Sequence, residues 1–161
     1  MLRHIILFAL LTYSAHSYAE EATAIAVIVA DNAEVSAIEN ITAQELSLVY
    51  WRKKLYWQGG IRIHPVNLHA EDSLRLRFSK VVLGNLPAEQ VTYWNGLYFH
   101  GTTPPYSVQS EEAVLRYVTN TKGSIGYIDA CKLDHRVKPL LWIVNEKIST
   151  TPPKTLNCNH D

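Results

Sequence analysis

The 161-residue sequence predicts an α/β fold, a single-domain three-layer sandwich with a mixed sheet and helices on both faces. Short Val- and Ile-rich runs alternate with segments of helical periodicity, and no internal repeat or linker separates them. The chain is 47% hydrophobic and 19% charged, which is typical of a protein with an apolar core and excludes a disordered chain. Its 15 basic and 15 acidic side chains balance, so we expect no nucleic-acid partner and no electrostatic attraction to membranes.

The amino terminus has the pattern of a secretory signal peptide. Two basic residues precede an apolar run over residues 5–11, and a small-x-small cleavage motif ends at Ala19. The apolar run is shorter than the roughly 20 residues that cross a bilayer, so a retained anchor is the less favoured alternative. We therefore predict a signal peptide over 1–19 and a domain over 20–161. The protein is expected to be periplasmic or secreted, with no stable membrane insertion after cleavage.

The chain has two cysteines, Cys131 and Cys158, and an oxidising compartment allows such a pair to close into a disulfide. The alternative is a metal site formed by Cys158, His160 and Asp161. It is less favoured because a chain terminus orders metal ligands poorly and no second ligand pair has zinc-like spacing. We predict the disulfide and no metal site.

The first elements are a strand and a helix. Residues 24–30 form a near-continuous apolar run, which predicts a strand buried on both faces. Thr42 and Glu45 then form a T-x-x-E capping box, which predicts the start of a helix. A Gly-Gly turn leads into a second strand over 61–68, in which Pro65 favours a sheet edge or a strand end.

Three further helices and two further strands are predicted. One helix begins near Asp72-Ser73 and ends at Gly84, and another has Pro87 in its first turn. Ser110 caps a fourth helix. The last two strands are predicted over 124–129 and 137–145, which makes four helices and four strands in all.

Aromatic residues form a second pattern with two interpretations. In one interpretation the aromatic side chains form a stacking surface for a sugar or a protein partner. In the other they lie in the core. The spacing of Trp94 and Tyr98 matches a buried helix face, and Trp57 is expected to pack under its Gly-Gly turn, so the core is favoured. The residues concerned are Trp51, Tyr56, Trp57, Tyr93, Trp94, Tyr98 and Phe99.

Four short motifs occur in a fixed order between residues 41 and 129. They are W-x-x-G at 57–60, a helix start with Ser73 and Arg75, Y-W-N at 93–95, and G-x-I-G-Y at 123–127. The ordered set resembles the phosphate-binding proteins of ABC transporters, which have the type 2 periplasmic-binding fold. Full-length members clamp the anion between two lobes, and the resemblance covers one lobe.

The resemblance implies an anion site formed by Ser73, Arg75 and the backbone N–H groups that follow Ser73. An oxyanion is held by free N–H groups at a helix start, a hydroxyl donor and a guanidinium, and this segment offers all three. The family commonly has Ser-Gly-Thr before the arginine, whereas this sequence reads Asp72-Ser73-Leu74-Arg75. The alternative is structural: Ser73 caps the helix and Arg75 pairs with a nearby carboxylate.

The sequence has no nucleophile elbow and no P-loop, so we expect no catalytic residues, no cofactor and no enzymatic activity. The resemblance implies an exported solute-binding protein that holds phosphate or a similar oxyanion weakly, because only one lobe contacts the ligand. One alternative is a protein-interaction module or sensor partner in an envelope complex that has lost solute binding. Another is a homodimer in which two chains supply both lobes.

Overall fold

The computed structural model describes residues 24–32, 40–156 and 158, and the predicted signal peptide lies outside these residues. In the described residues six strands form one mixed sheet, and there are four α-helices. The strands are β1 (Ile25–Ala30), β2 (His64–Leu68), β3 (Tyr106–Val108), β4 (Ser124–Asp129), β5 (Val137–Val144) and β6 (Lys147–Ser149). The helices are α1 (Ala43–Tyr50), α2 (Ser73–Phe78), α3 (Val91–Tyr98) and α4 (Glu111–Asn120). A π-helical turn (Ser79–Leu83) extends α2, and 3₁₀ turns cover Pro87–Gln90 and Ala130–Lys132.

The strand order in the sheet is β3-β2-β4-β1-β5-β6. Strand β2 runs parallel to β3 and β4, whereas β1 is antiparallel to both β4 and β5. All six residues of β1 are buried, which confirms the prediction from its continuous apolar sequence. Pro65 of β2 lies opposite Ile125 near the amino end of its strand, so of the two predicted positions the strand end is the observed one.

Helices cover both faces of the sheet, as the sequence predicts. On one face the ring of Tyr127 stacks on Phe78 of α2 with ring centroids 3.8 Å apart, and Tyr50 of α1 packs against both rings. On the other face Gly126 allows Val114 and Val118 of α4 to approach, because a Cβ at that position would lie 2.6 Å from a methyl group of Val114. The three-layer sandwich is therefore confirmed.

Several local predictions are confirmed and others are wrong. The capping box of Thr42 and Glu45 begins α1, and Ser110 caps α4. Strands β3 and β6 were not predicted, because three residues are too few to show a period. The expectation that Trp94 and Tyr98 are core residues is wrong, since α3 has no buried residue and Tyr98 is exposed.

Cys131 and Cys158 are joined by a disulfide with their Cα atoms 5.4 Å apart. The bond connects the 3₁₀ turn after β4 to the carboxyl-terminal segment. His160 and Asp161, the other residues of the alternative metal site, lie outside the described residues. Within the described residues, no group of histidine, cysteine and carboxylate side chains is arranged to hold a metal ion. In the same part of the chain, none of the helices combines the length and apolarity that crossing a membrane requires.

Candidate anion-binding site

The carboxyl ends of the parallel strands β2 and β4 lie side by side, and α2 begins just after the end of β2. In open α/β sheets, ligands bind in the crevice beyond the carboxyl ends of the strands. Arg75, which the sequence analysis singles out, lies in the first turn of the helix at this edge. The topology therefore places Arg75 where a ligand of this fold class is held.

Arg75 is buried and forms no ion pair with another described residue. Only 7% of the residue is exposed, and its Nε and Nη1 have no hydrogen-bond partner among the described residues. The described part of the chain also contains no ion pair to Arg75, so the alternative in which it pairs with a nearby carboxylate is not observed. A buried charge with unsatisfied donors costs free energy, and such a group in a native structure requires an explanation.

The Tyr127 hydroxyl lies beside the Arg75 guanidinium. This hydroxyl accepts a hydrogen bond from the Leu68 N–H and donates one to the side-chain oxygen of Asn67, both at 3.3 Å. Burial raises the pKa of Tyr127 to about 12, and the neighbouring guanidinium acts in the opposite direction. The hydroxyl therefore stays protonated, and its two bonds fix its position at the end of β2.

Ser79 places a second unpartnered polar group on the same helical segment. It follows Arg75 by four residues, is fully buried, and its Oγ has no partner among the described residues. Residues four apart lie on the same helix face, so both orphaned groups belong to the inner face of α2 and its π-helical extension. π-Helical turns often occur at functional sites.

Asp72, not Ser73, is the N-cap of α2. Its Oδ1 accepts hydrogen bonds from the N–H groups of Leu74 and Arg75 at 2.8 and 3.2 Å. The structural alternative in which Ser73 caps the helix is therefore wrong. The N–H groups that the sequence analysis offers to an anion are already bonded to this carboxylate.

Ser73 and Arg75 face different surroundings. Ser73 occupies the first position of α2 with an exposed side chain, whereas Arg75 is buried against the sheet. Positions two apart on a helix point to different sides, because successive residues are rotated by about 100°. The assignment of both residues as anion ligands stays a prediction, and the structure gives Arg75 the more specific environment.

Sequence reasoning missed Asn67, Ser79 and Tyr127. Tyr127 of β4 lies beside Arg75 and bonds to Asn67 of β2 only in the folded sheet, which local patterns do not reveal. Ser79 could have been found from the sequence. It places a hydroxyl group four residues after Arg75, on a helix face that is otherwise apolar.

No protein-family model matches the chain, and no curated protein matches it. Solved structures do resemble it. A phosphate ABC transporter substrate-binding protein from Clostridium perfringens, solved with bound phosphate, matches with a TM-score of 0.58 and 18% identity over 74% of this chain and 45% of its own. An ABC-type phosphate transport receptor from Vibrio cholerae matches with a TM-score of 0.57 and 18% identity over 73% of this chain and 45% of its own. A possible phosphate binding protein from Planctomyces limnophilus matches with a TM-score of 0.53 and 13% identity over 74% of this chain and 42% of its own.

These matches confirm the predicted fold, which is that of one lobe of a periplasmic-binding protein. The chain spans less than half the length of each of the three proteins. The structural neighbours are substrate-binding receptors rather than enzymes.

Proposed function

We propose that this protein is an exported, non-enzymatic binding protein for an oxyanion, with phosphate as the leading ligand. In this proposal residues 1–19 are a signal peptide, and the domain over 20–161 acts in the periplasm or outside the cell. Arg75 supplies the charge, and the exposed hydroxyl of Ser73 at the start of α2 is proposed as a separate, outer contact. The receptors of similar fold, one of which was solved with phosphate, support the choice of ligand.

The observation that carries the proposal is the buried guanidinium of Arg75, whose Nε and Nη1 have no partner among the described residues. A structural arginine in a protein interior is normally paired with a carboxylate, because desolvating the charge alone is expensive. An incoming anion would supply the missing partner through charge-assisted hydrogen bonds. One lobe encloses a ligand less completely than two, so we expect a dissociation constant above about 1 µM.

Calorimetry combined with thermal unfolding tests this role of Arg75. Phosphate is titrated into the wild-type protein, the Arg75→Met variant and the Arg77→Met variant, with sulfate and chloride as comparison anions. We expect phosphate to release heat and raise the melting temperature of the wild type and of Arg77→Met, and to do neither for Arg75→Met. Arg77 is the matched control, because it lies on the same helix and lines a groove with Leu76, Lys80 and Val81 instead.

The anion-free proteins provide an independent reading of the same site. Replacing an unpaired buried charge by an apolar side chain of similar length removes a desolvation cost, so Arg75→Met is expected to unfold at a higher temperature than the wild type without anion. A lower melting temperature would make Arg75 a structural residue. Equal phosphate heats for Arg75→Met and the wild type would reject the proposed site.

A second candidate function is a protein-interaction module, and helix α3 favours it. This helix has no buried residue, and Phe99 directly after it is 87% exposed. Trp51 at the end of α1 packs on Tyr93 and Trp94 of α3, so the two helices present one surface. Exposed aromatic surface often marks a protein contact.

A further inference from the structure

A second cationic cluster lies at the amino end of β2, at the opposite end of that strand from the edge that holds Arg75. Arg52 follows α1, and its Nη1 donates a hydrogen bond to the carbonyl oxygen of Ile63 at 3.3 Å. Arg62 and His64 flank Ile63 in the sequence. Three basic side chains are thus gathered around one peptide segment.

Tyrosine rings border the cluster. Tyr117 of α4 lies beside Arg52, and its ring stacks on Tyr106 of β3 with centroids 5.3 Å apart. Tyr56 pairs with Arg62 through an isolated β-bridge. Tyr106 is 60% exposed and Tyr56 is 53% exposed, so both present a large part of their rings to solvent.

Among the described residues, no acidic side chain balances these charges. Neither Arg52 nor Arg62 forms an ion pair with any described residue, and the Nε of Arg52 is buried without a hydrogen-bond partner. Burial lowers the pKa of Arg52 below its ordinary value, and the charge of Arg62 lowers it further. Burial, Arg62 and Arg52 together lower the pKa of His64. Arg52 and Arg62 therefore repel each other, and both disfavour the charged form of His64.

Arg52 is the residue that ends α1, just after the C-cap Trp51, and its φ is +59°. The Arg52 N–H bonds to the Val49 carbonyl oxygen and the Lys53 N–H bonds to the Leu48 carbonyl oxygen, at 3.0 and 2.8 Å, which is the Schellman pattern of a helix end. This turn directs the chain so that the Arg52 side chain reaches Ile63. Repulsion from Arg62 and an unpaired buried donor both occur at Arg52, and each one lowers stability.

We propose that Arg52, Arg62, Tyr56 and Tyr106 form a docking surface for an acidic segment of a partner protein. Carboxylates of the partner neutralise the two guanidinium groups, and the tyrosine rings cover the contact. Arginine and tyrosine are enriched at the centres of protein interfaces, and exposed rings beside charges suit a macromolecule better than a small solute. Strand β3 is the outermost strand on this side of the described sheet, so its free backbone groups are available to an extended partner segment.

Fluorescence anisotropy with defined peptides tests the docking surface. A labelled peptide of alternating Glu and Gly is titrated with the wild-type protein, with Arg52→Gln and with Arg62→Gln, and a Gln-Gly peptide of equal length is the uncharged comparison. We expect the wild type to bind the Glu peptide but not the Gln peptide. Each variant is expected to lower the affinity for the Glu peptide about tenfold, and added salt is expected to lower it further. Arg116→Gln is the matched control, because Arg116 is an exposed arginine that is already paired with Glu112.

Four outcomes would overturn the docking surface. They are equal binding of the Glu and Gln peptides, unchanged binding in both arginine variants, binding of inorganic phosphate but not of the Glu peptide, and binding of anionic vesicles but not of the Glu peptide. Arg62→Gln is expected to unfold at or above the wild-type temperature, since it removes a like charge from beside Arg52. A melting temperature several degrees lower would make Arg62 a structural residue and would also count against the surface.

Discussion

Two arginines of this protein illustrate opposite environments for the same side chain. Arg136 is partly exposed and bonds to both Glu112 and Asp134, and it holds the pKa of each carboxyl at about 2. Arg75 is buried, and its guanidinium bonds to no carboxylate among the described residues. An exposed network such as that of Arg136 contributes little to stability. The unpaired interior charge of Arg75 instead lowers stability, and a cost of this kind is typical of a binding residue.

The backbone around Gly123 leaves less space for a side chain than the backbone around the other glycines in turns. Its φ is +76°, and a Cβ there would lie 2.2 Å from the carbonyl oxygen of Arg62. We expect Gly123→Ala to lower the free energy of unfolding by about 3 kcal/mol or more, because the backbone must move to relieve the contact. Urea denaturation measures the change.

Gly84 provides the control for this prediction. Its φ is +70°, and no atom lies within 4 Å of the position that a Cβ would take. Gly84→Ala therefore introduces only the left-handed strain, which costs about 1 kcal/mol. Equal losses in Gly84→Ala and Gly123→Ala would show that the contact with Arg62 is unimportant.

The sequence was sufficient to find Arg75 but not its surroundings. The order of short motifs singled out Ser73 and Arg75, whereas Tyr127, which lies beside the guanidinium and bonds to Asn67, is brought there only when β2 and β4 pair. The cap of α2 was ambiguous for a different reason. Aspartate and serine are both good capping residues, and they are adjacent here, so only the hydrogen bonds of Asp72 identify the cap.

Helix α3 has an apolar face that the sequence predicts to be buried, but no other described element covers its end. The spacing of Trp94 and Tyr98 identifies one apolar face, but it does not show whether another element covers that face. In the structure Trp51, Tyr93 and Trp94 pack on one another, and the Trp94 indole donates a hydrogen bond to Gln90. The aromatic residues at the end of the helix are left in solvent.

Helix α1 is expected to lose stability at acidic pH. Hydrogen bonds from Lys54 and from the Thr42 N–H lower the pKa of Glu45 from 4.5 to about 2. Since the folded-state pKa is the lower one, the stabilisation is complete above about pH 4.5 and disappears as the pH falls through about 2. We expect the difference in melting temperature between the wild type and Glu45→Gln to shrink over that range.

Glu146→Gln is the control for the titration of Glu45, because Glu146 lies on the exposed turn between β5 and β6 and forms no ion pair among the described residues. Its melting curve is expected to run parallel to that of the wild type at every pH. If the melting temperature of the wild type still exceeds that of Glu45→Gln by the same amount at pH 2, the carboxylate charge does not stabilise the helix.

At the scale of the whole molecule, the fold was more predictable than its details. The buried strand β1, the capped helices α1 and α4 and the strand β4 all follow from local patterns, and their alternation predicts a layered α/β sandwich. The order β3-β2-β4-β1-β5-β6 does not follow from such patterns, because it depends on pairing between distant segments. The edge strands β3 and β6 are defined by that pairing alone.

The disulfide is expected to stabilise the folded protein without determining the fold. Cys131 and Cys158 are separated by 27 positions, and a closed loop of that size contributes about 3.5 kcal/mol when only chain entropy is counted. We expect Cys131→Ser with Cys158→Ser to lower the free energy of unfolding by up to that amount, which a lower urea midpoint reports. The circular dichroism of the sheet is expected to persist, since Cys158 lies beyond the last strand.

Reductant provides the matched comparison for the disulfide. It is expected to lower the midpoint of the wild type to that of the double serine variant and to leave the variant unchanged. An identical midpoint for oxidised and reduced wild type would contradict a stabilising bond.

Strand β1 comes first among the described strands, yet it occupies the interior of the sheet between β4 and β5. Its neighbours start at Ser124 and Val137, so nearly the whole domain has to be synthesised before the strand has both partners. Until then a continuous apolar segment has exposed edges on both sides, which is the kind of surface that promotes aggregation of nascent chains. A holdase chaperone that recognises Ile25–Ala30 would therefore protect this protein during its biogenesis.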